Sequence, residues 1–199
     1  MSEYIDEYLN PSSERMWSAD YGYPIPVTRK ILKANKLLAF DKKTPPEKLS
    51  TQGPFRVDES PISHNEAMNS IHAIDFLMPV GTPVLAVKNG KVGFIKEDSA
   101  EYWRWPQFSD KANYVNIIHD DGTMSQYIHL AQNSVSNSGL TFWNDVKKWQ
   151  KIWEVWLSGW LDIPHLHFAL YERVVGGKLK NIQIRFQKKI MNTLLSLGV

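Results

Sequence analysis

The segment Pro164-His165-Leu166-His167-Phe168-Ala169-Leu170 alternates imidazole and apolar side chains with a period of two. That period fits a β-strand, in which residues i and i+2 share a face, and does not fit a helix. On a strand, Leu166, Phe168 and Leu170 enter a core, and His165 and His167 point together from the opposite face. Two imidazoles on one face, backed by an apolar face, suit a metal or proton-transfer site. The bland alternative is a satisfied pair of core or surface histidines. The rest of the chain decides between them.

From about Pro79 onward the chain consists of short β-prone runs separated by turn residues. Thr82 to Val87 leads through Asn89-Gly90 to Lys91–Ile95, which reads as a hairpin with a favoured turn pair. Tyr114–Ile118 reaches Asp120-Asp121-Gly122-Thr123 and returns as Met124 to Leu130, a second hairpin. A strand around His165 follows, and Ile182 to Phe186 reads as another. No internal repeat is visible. The expected fold is mostly β, an antiparallel sheet. The first fifty residues differ: Pro11-Ser12-Ser13-Glu14 and Tyr21 to Pro26 are turn-rich, Arg29 to Leu38 suits a short helix, and Thr44-Pro45-Pro46-Glu47 reads as a linker. Residues 1–50 are therefore an N-terminal extension, 51–186 the β domain and 187–199 a tail with apolar residues at helical spacing.

Composition removes several options. The 199 residues contain no cysteine, so disulfides and thiolate zinc ligands are excluded and any metal must be held by His, Asp or Glu. A formal charge of +2 does not argue for nucleic acid, and no nucleic-acid partner is expected. No run approaches the length of a transmembrane helix, and residues 1–26 carry no readable secretory signal.

The remaining histidines fall into place along these elements. On the second hairpin, Tyr127 and His129 share one face, and Ile128 and Leu130 share the other. His119 lies at the turn beside Asp120 and Asp121, where a solvated role is expected. His64 and His72 precede Asp75, which opens the apolar stretch Phe76–Val80 and on its own reads as well as a cap or turn former.

Taken together, the segments resemble the lysostaphin-like, LytM-type zinc metallopeptidases that cut peptide cross-bridges in bacterial cell walls. The carrying residues are Ala73-Ile74-Asp75-Phe76, Pro79 to Val84, Gly90-Lys91-Val92, Asn113-Tyr114-Val115, Asp121-Gly122-Thr123, Tyr127-Ile128-His129-Leu130 and Pro164 to Phe168. They occur in the family's order across roughly Thr51 to Phe186. The resemblance implies that Asp75 and His167 are zinc ligands and that His165 orients water and substrate beside the metal. It further implies that His129 shares general-base work. The third ligand should be a histidine four residues before the aspartate, but that position here is Ile71. His64 and His72 both remain open for the role. His64 is favoured because family members with Ser-His well upstream of the aspartate are similar to Ser63-His64 here.

The implied chemistry suits these residue types. Two neutral imidazoles and one carboxylate would leave a single zinc ion a net positive charge and an open position. Zinc so held lowers the pKa of bound water to about 7 and polarises a carbonyl. A non-ligand histidine serves as the base, since no glutamate stands beside an H-x-x-x-H pair.

One stretch departs from the family pattern. Where the resembling proteins carry glycines before the H-x-H strand, this chain has Trp143, Trp149, Trp153 and Trp156. Trp149, Trp153, Trp156 and Trp160 have helical spacing, so one reading is an amphipathic helix on a membrane or partner, but that helix would interrupt the β domain and membrane contact is not favoured. A second is that they are true substitutions in a domain that has drifted from catalysis to binding. A third is that their codons are UGA, read as glycine in the lineage of origin; UGG at those codons would exclude it.

The leading function is therefore zinc-dependent endopeptidase action on peptidoglycan peptides, in an extracytoplasmic setting implied by the resemblance. The alternative is a catalytically degenerate domain of the same fold that binds cell wall or activates a hydrolase. Trp103, Arg104 and Trp105 sit in a loop, Glu101 to Lys111, that could line a groove. Neither the cross-bridge cut nor the oligomeric state is readable.

Overall fold

A computed structural model describes residues 63–183 together with 56–58, Tyr21 and Pro24. The expected helix at Arg29 to Leu38 and the tail at 187–199 lie outside the described residues. Among the described residues the architecture is a mostly antiparallel sheet with two small satellites. The strands, in chain order, are β1 (Arg56–Asp58), β2 (Ile74–Leu77), β3 (Pro83–Leu85), β4 (Gly90–Lys96), β5 (Tyr102–Trp103), β6 (Tyr114–Ile118), β7 (Thr123–Ile128), β8 (Asp145–Val146), β9 (Lys151–Glu154), β10 (Gly159–Trp160), β11 (His165–Arg173) and β12 (Leu179–Ile182). The main sheet runs β1-β2-β11-β7-β6-β4-β8, with β12 continuing the edge of β11 beyond β2. The satellites are β3 with β9, antiparallel, and β5 with β10, parallel.

The period-two pattern of β11 works as its sequence requires. Leu166, Phe168 and Leu170 are buried in the main core, where Phe168 meets Tyr127 and Phe76 edge-on. β2 does the same with Ile74 and Phe76. Each aromatic side chain buried there stabilises the fold by a few kcal/mol, so truncating Phe168 to alanine would cost about 3–5 kcal/mol.

The first expected hairpin does not form. β3 pairs with β9, and β4 pairs with β6 and β8. Asn89-Gly90 is not a tight turn but a crossing between sheets. The Asn89 carbonyl accepts from His119 and its side-chain oxygen from the Lys148 backbone. A Cβ on Gly90 would sit 2.4 Å from the Ile118 carbonyl oxygen, so the glycine is there to let β4 approach β6. The second hairpin forms as read, β6 against β7. Of the strand expected at Ile182 to Phe186, residues 184–186 lie outside the described residues; β12 ends at Ile182.

The tryptophan-rich segment is not helical; it contains β8, β9 and β10. Trp153 is fully buried in β9 and its indole N–H donates to the Ala131 carbonyl. Trp143 and Trp149 are exposed and adopt φ of +69° and +71°. Before residue 51, Tyr21 joins the core, its hydroxyl 2.7 Å from Thr123 Oγ1, and the Pro24 carbonyl accepts from Leu85 N.

Candidate metal centre and histidine face

The middle of the sheet presents its polar face at one place. Asp75 of β2 and His167 of β11 are directly opposed in register, so their side chains leave the sheet on the same side. His167 Nδ1 lies 2.9 Å from Asp75 Oδ1. His64 enters from a loop and completes the group: its Nε2 is 3.2 Å from His167 Nδ1 and 3.2 Å from Asp75 Oδ1. All three side chains are buried.

The loop reaches back because it is tied at both ends. Ser70 N bonds the Asn65 carbonyl and Ser70 Oγ the Ser63 carbonyl. Asn69 and Asn181 fasten the far side of the loop to β12: Asn69 Nδ2 donates to the Leu179 carbonyl, and Asn181 N donates to Asn69 Oδ1. The His72 backbone N–H donates to Asn181 Oδ1, while its side chain is exposed and apart from the cluster. His64, not His72, stands beside Asp75 and His167.

The triangle formed by His64 Nε2, Asp75 Oδ1 and His167 Nδ1 fits a metal. Four-coordinate zinc with bonds of about 2.0–2.1 Å holds its ligand atoms about 3.3 Å apart. The three edges of 3.2, 3.2 and 2.9 Å are close to that spacing. Burial opposes ionisation of Asp75, yet His165, with hydrogen bonds from His167 and His64, outweighs it and holds the carboxyl well below the usual carboxylate range. Burial lowers the pKa of His167, partly offset by Asp75. A charged carboxylate beside a neutral imidazole is the ligand state zinc requires.

Two further imidazoles complete the face. His165 Nδ1 lies 2.8 Å from the Ile163 carbonyl, and His129 Nδ1 lies 2.7 Å from the Ser158 carbonyl. A carbonyl only accepts, so Nδ1 carries a proton in both rings, and the neutral form of either ring has its lone pair on Nε2. The two rings are 4.5 Å apart, centre to centre, and His129 is 6.2 Å from His167. His165 Nε2 is 3.7 Å from Asp75 Oδ1. Burial, then His165 and His167, push the His129 pKa well below the ordinary imidazole value, so the ring is a neutral acceptor.

His129 reaches this face by breaking the strand rule. Strict alternation would send it to the side of Tyr127, which is fully buried in the core; Leu130, expected opposite Tyr127, is in that core too. The break is at His129 itself, whose φ is +66°. A left-handed residue reverses the chain's facing, at a backbone cost of about 1–3 kcal/mol. Sequence parity could not show this.

His119 differs from the solvated role expected of it. It is 2% exposed, with Nδ1 on the Asn89 carbonyl and Nε2 on Ser125 Oγ. The turn leaves Asp120 and Asp121 in solvent but folds the His119 ring under β4. Asn113 and Ser158, both fully buried beside His129, were not singled out as site residues by the sequence reading. Trp103, Arg104 and Trp105 are exposed, with Trp103 opposite Trp160 across β5 and β10.

The chain is similar to several known proteins. The description "Peptidase family M23" matches residues 69–181. An uncharacterized metalloprotease of Buchnera aphidicola is 32% identical over 127 residues, 61% of this chain and 30% of the relative. The peptidoglycan DD-endopeptidase ShyC of Vibrio cholerae is 34% identical over 107 residues, 54% and 21% of the two chains, and lysostaphin of Staphylococcus simulans is 30% identical over 109, 54% and 19%. The chain thus spans less than a third of the length of these relatives. A LytM structure from Ruminococcus gnavus shares the fold at a TM-score of 0.51 and 17% identity, covering 84% of this chain and 58% of that one. With more than half of its length matched, the chain belongs to peptidase family M23.

Proposed function

We propose that this chain is a zinc-dependent endopeptidase that hydrolyses peptide bonds in bacterial peptidoglycan, outside the cytoplasm. The observation that carries the reading is the buried triangle of His64 Nε2, Asp75 Oδ1 and His167 Nδ1, flanked by two imidazoles whose Nδ1 atoms are held by backbone carbonyls. The relatives named peptidoglycan DD-endopeptidase and lysostaphin support the substrate class.

When bound by His64, Asp75 and His167, zinc supplies Lewis acidity toward the scissile carbonyl and acidifies water. The chain's own residues handle the proton. His129 Nε2 accepts it from the attacking water as the carbon–oxygen bond forms, and delivers it to the leaving nitrogen as the carbon–nitrogen bond breaks. The Ser158 carbonyl, fixed on Nδ1–H, stabilises the ring while it holds both protons. His165 Nε2, held by the Ile163 carbonyl on its other nitrogen, orients the water and the carbonyl oxygen. Such general-base work is worth about 10²–10⁴-fold.

The test is digestion of purified peptidoglycan by the zinc-loaded protein, with fragments identified by mass spectrometry. New amine and carboxyl ends at cross-bridge or stem peptides, absent with His129→Ala, are expected. Intact peptidoglycan after prolonged digestion by a folded, zinc-loaded chain would contradict the proposal and favour a binding role.

A further inference from the structure

His129 is in a left-handed conformation, which is uncommon for any residue but glycine, and a set of buried hydrogen bonds surrounds it. Its N–H donates to the Asn113 carbonyl at 3.1 Å, and its carbonyl accepts from Trp156 N at 2.9 Å. The next carbonyl, of Leu130, accepts twice: from Asn113 Nδ2 and from Ser158 Oγ, each at 3.0 Å. Asn113 N donates to Ser158 Oγ at 3.1 Å, which links the two side chains' segments. Asn113 also pairs with the Ser99 backbone in both directions. Beyond Ser158, Gly159 has φ +84°, and a Cβ there would meet the Ala112 backbone at 2.6–2.7 Å. Ala112-Asn113 and Ser158-Gly159 are therefore in close contact, and the Ser158 carbonyl is set against His129 Nδ1.

We propose that Asn113 and Ser158 are positioning residues for the reaction: together they clamp the His129–Leu130 backbone and fix the Nδ1-protonated form of His129, so that Nε2 faces the metal site. The assignment rests on the enzymatic reading above for its kinetic consequence, but the geometry it asserts is measurable without turnover. Neither residue touches substrate or a metal ligand; both act through His129.

Asn113→Ala and Ser158→Ala would be compared with wild type in the zinc-loaded protein by long-range ¹H–¹⁵N correlation of the imidazoles, zinc stoichiometry, melting temperature and steady-state kinetics on peptidoglycan peptides. The wild-type spectrum is expected to show His129 protonated at Nδ1. Each variant should show a mixture of tautomers, with kcat lowered roughly ten- to a hundredfold, KM unchanged and zinc retained. Ser158→Ala deletes one oxygen and carries the test alone if Asn113→Ala does not fold. A wild-type His129 spectrum and kcat in Ser158→Ala, with only the melting temperature lowered, would overturn the proposal in favour of plain structural support. Loss of zinc together with activity would overturn it as well. If wild type cleaves nothing, the endopeptidase reading fails, and the imidazole spectra still decide the clamp.

A different observation carries a second inference. Among bulky side chains, φ near +70° is a genuine outlier, and Trp143 and Trp149 both adopt it. Their backbone N–H groups are committed, to the Val92 and Ala86 carbonyls at 2.8 Å each, so the conformation is imposed by the sheet. Their rings gain little in return: they are 53% and 39% exposed, with Lys91 and Lys148 ammonium groups 6.0 and 5.4 Å from the ring centres. Glycine is the residue these backbones suit. We infer that positions 143 and 149 are glycine in the native protein, encoded by UGA read as glycine. UGA at both codons, glycine in peptides of the native protein, and a melting temperature raised by roughly 2–4 °C in each of Trp143→Gly and Trp149→Gly are expected. UGG at either codon, or no stabilisation by either change, would overturn it.

Discussion

Strand β7 ends near a buried histidine on each side, and the two are opposites. His119, just before the strand, has both ring nitrogens satisfied by groups that do not titrate, the Asn89 carbonyl and Ser125 Oγ. Ser125 continues to the Tyr127 hydroxyl, which accepts from the Val87 backbone. Nothing in that chain is left to react. His129, just after the strand, spends only Nδ1 in hydrogen bonding, and its ring lies beside His165 and His167. Both rings are buried and both have lowered pKa values, chiefly through desolvation. Burial and pKa shift therefore do not separate a structural histidine from a reactive one. The unspent nitrogen does.

The comparison can be broken most severely at the site end. His167→Ala removes the ligand opposed to Asp75 and should abolish both zinc binding and peptide cleavage, measured by metal analysis and digestion. His129→Ala should leave one zinc per chain and lower kcat by about 10²–10⁴-fold. At the other end, His119→Ala should cost about 1–3 kcal/mol in denaturant unfolding, because Ser125 Oγ and the Asn89 carbonyl lose their partner. Its activity per folded, zinc-loaded molecule should equal wild type. A catalytic defect in that variant beyond its loss of folded protein would erase the distinction drawn here.

Acid supplies the smallest and sharpest contrast. Burial lowers the folded-state pKa of His119 below its ordinary 6.5, with the Asn89 carbonyl and Asp121 partly opposing. The unfolded chain thus takes up this proton first as pH falls. The stability from keeping the ring neutral is complete above about 6.5 and is lost as pH drops from there through the folded value. In zinc-free protein, His119→Gln should therefore lose less stability between pH 7.5 and 5 than wild type does. His129 and His167 titrate in both proteins and cancel in the difference.

How far the sequence revealed this molecule depends on which atoms do the work. Side-chain alternation placed His165 and His167 because β11 is regular and has an apolar face to bury, whereas Asp75, opposed to His167 in register, was legible only through the family resemblance. Sequence pattern failed at Asn89-Gly90, where glycine serves a close approach to Ile118 instead of a turn. It failed again at His129, whose left-handed φ reverses the facing of the chain. His64 was one of two candidates from sequence, since its approach depends on Asn69 and Asn181 fastening a loop to β12, more than a hundred residues apart. Asn113 was legible only as part of the family-like segment Asn113-Tyr114-Val115 and Ser158 not at all, because both act on backbone carbonyls that every residue has. At Trp143 and Trp149 the mismatch was legible against the glycines of the resembling proteins, and the positive backbone φ gives it a physical form.

The central claim is that His64, Asp75 and His167 form one zinc site and that His72 has no part in it. Zinc titration of the folded chain, beside His64→Ala and His72→Ala, tests it most directly. One tightly bound zinc per chain in wild type and in His72→Ala, and none in His64→Ala, is the predicted result. Zinc retained by a folded His64→Ala variant, or none bound by wild type, would contradict it.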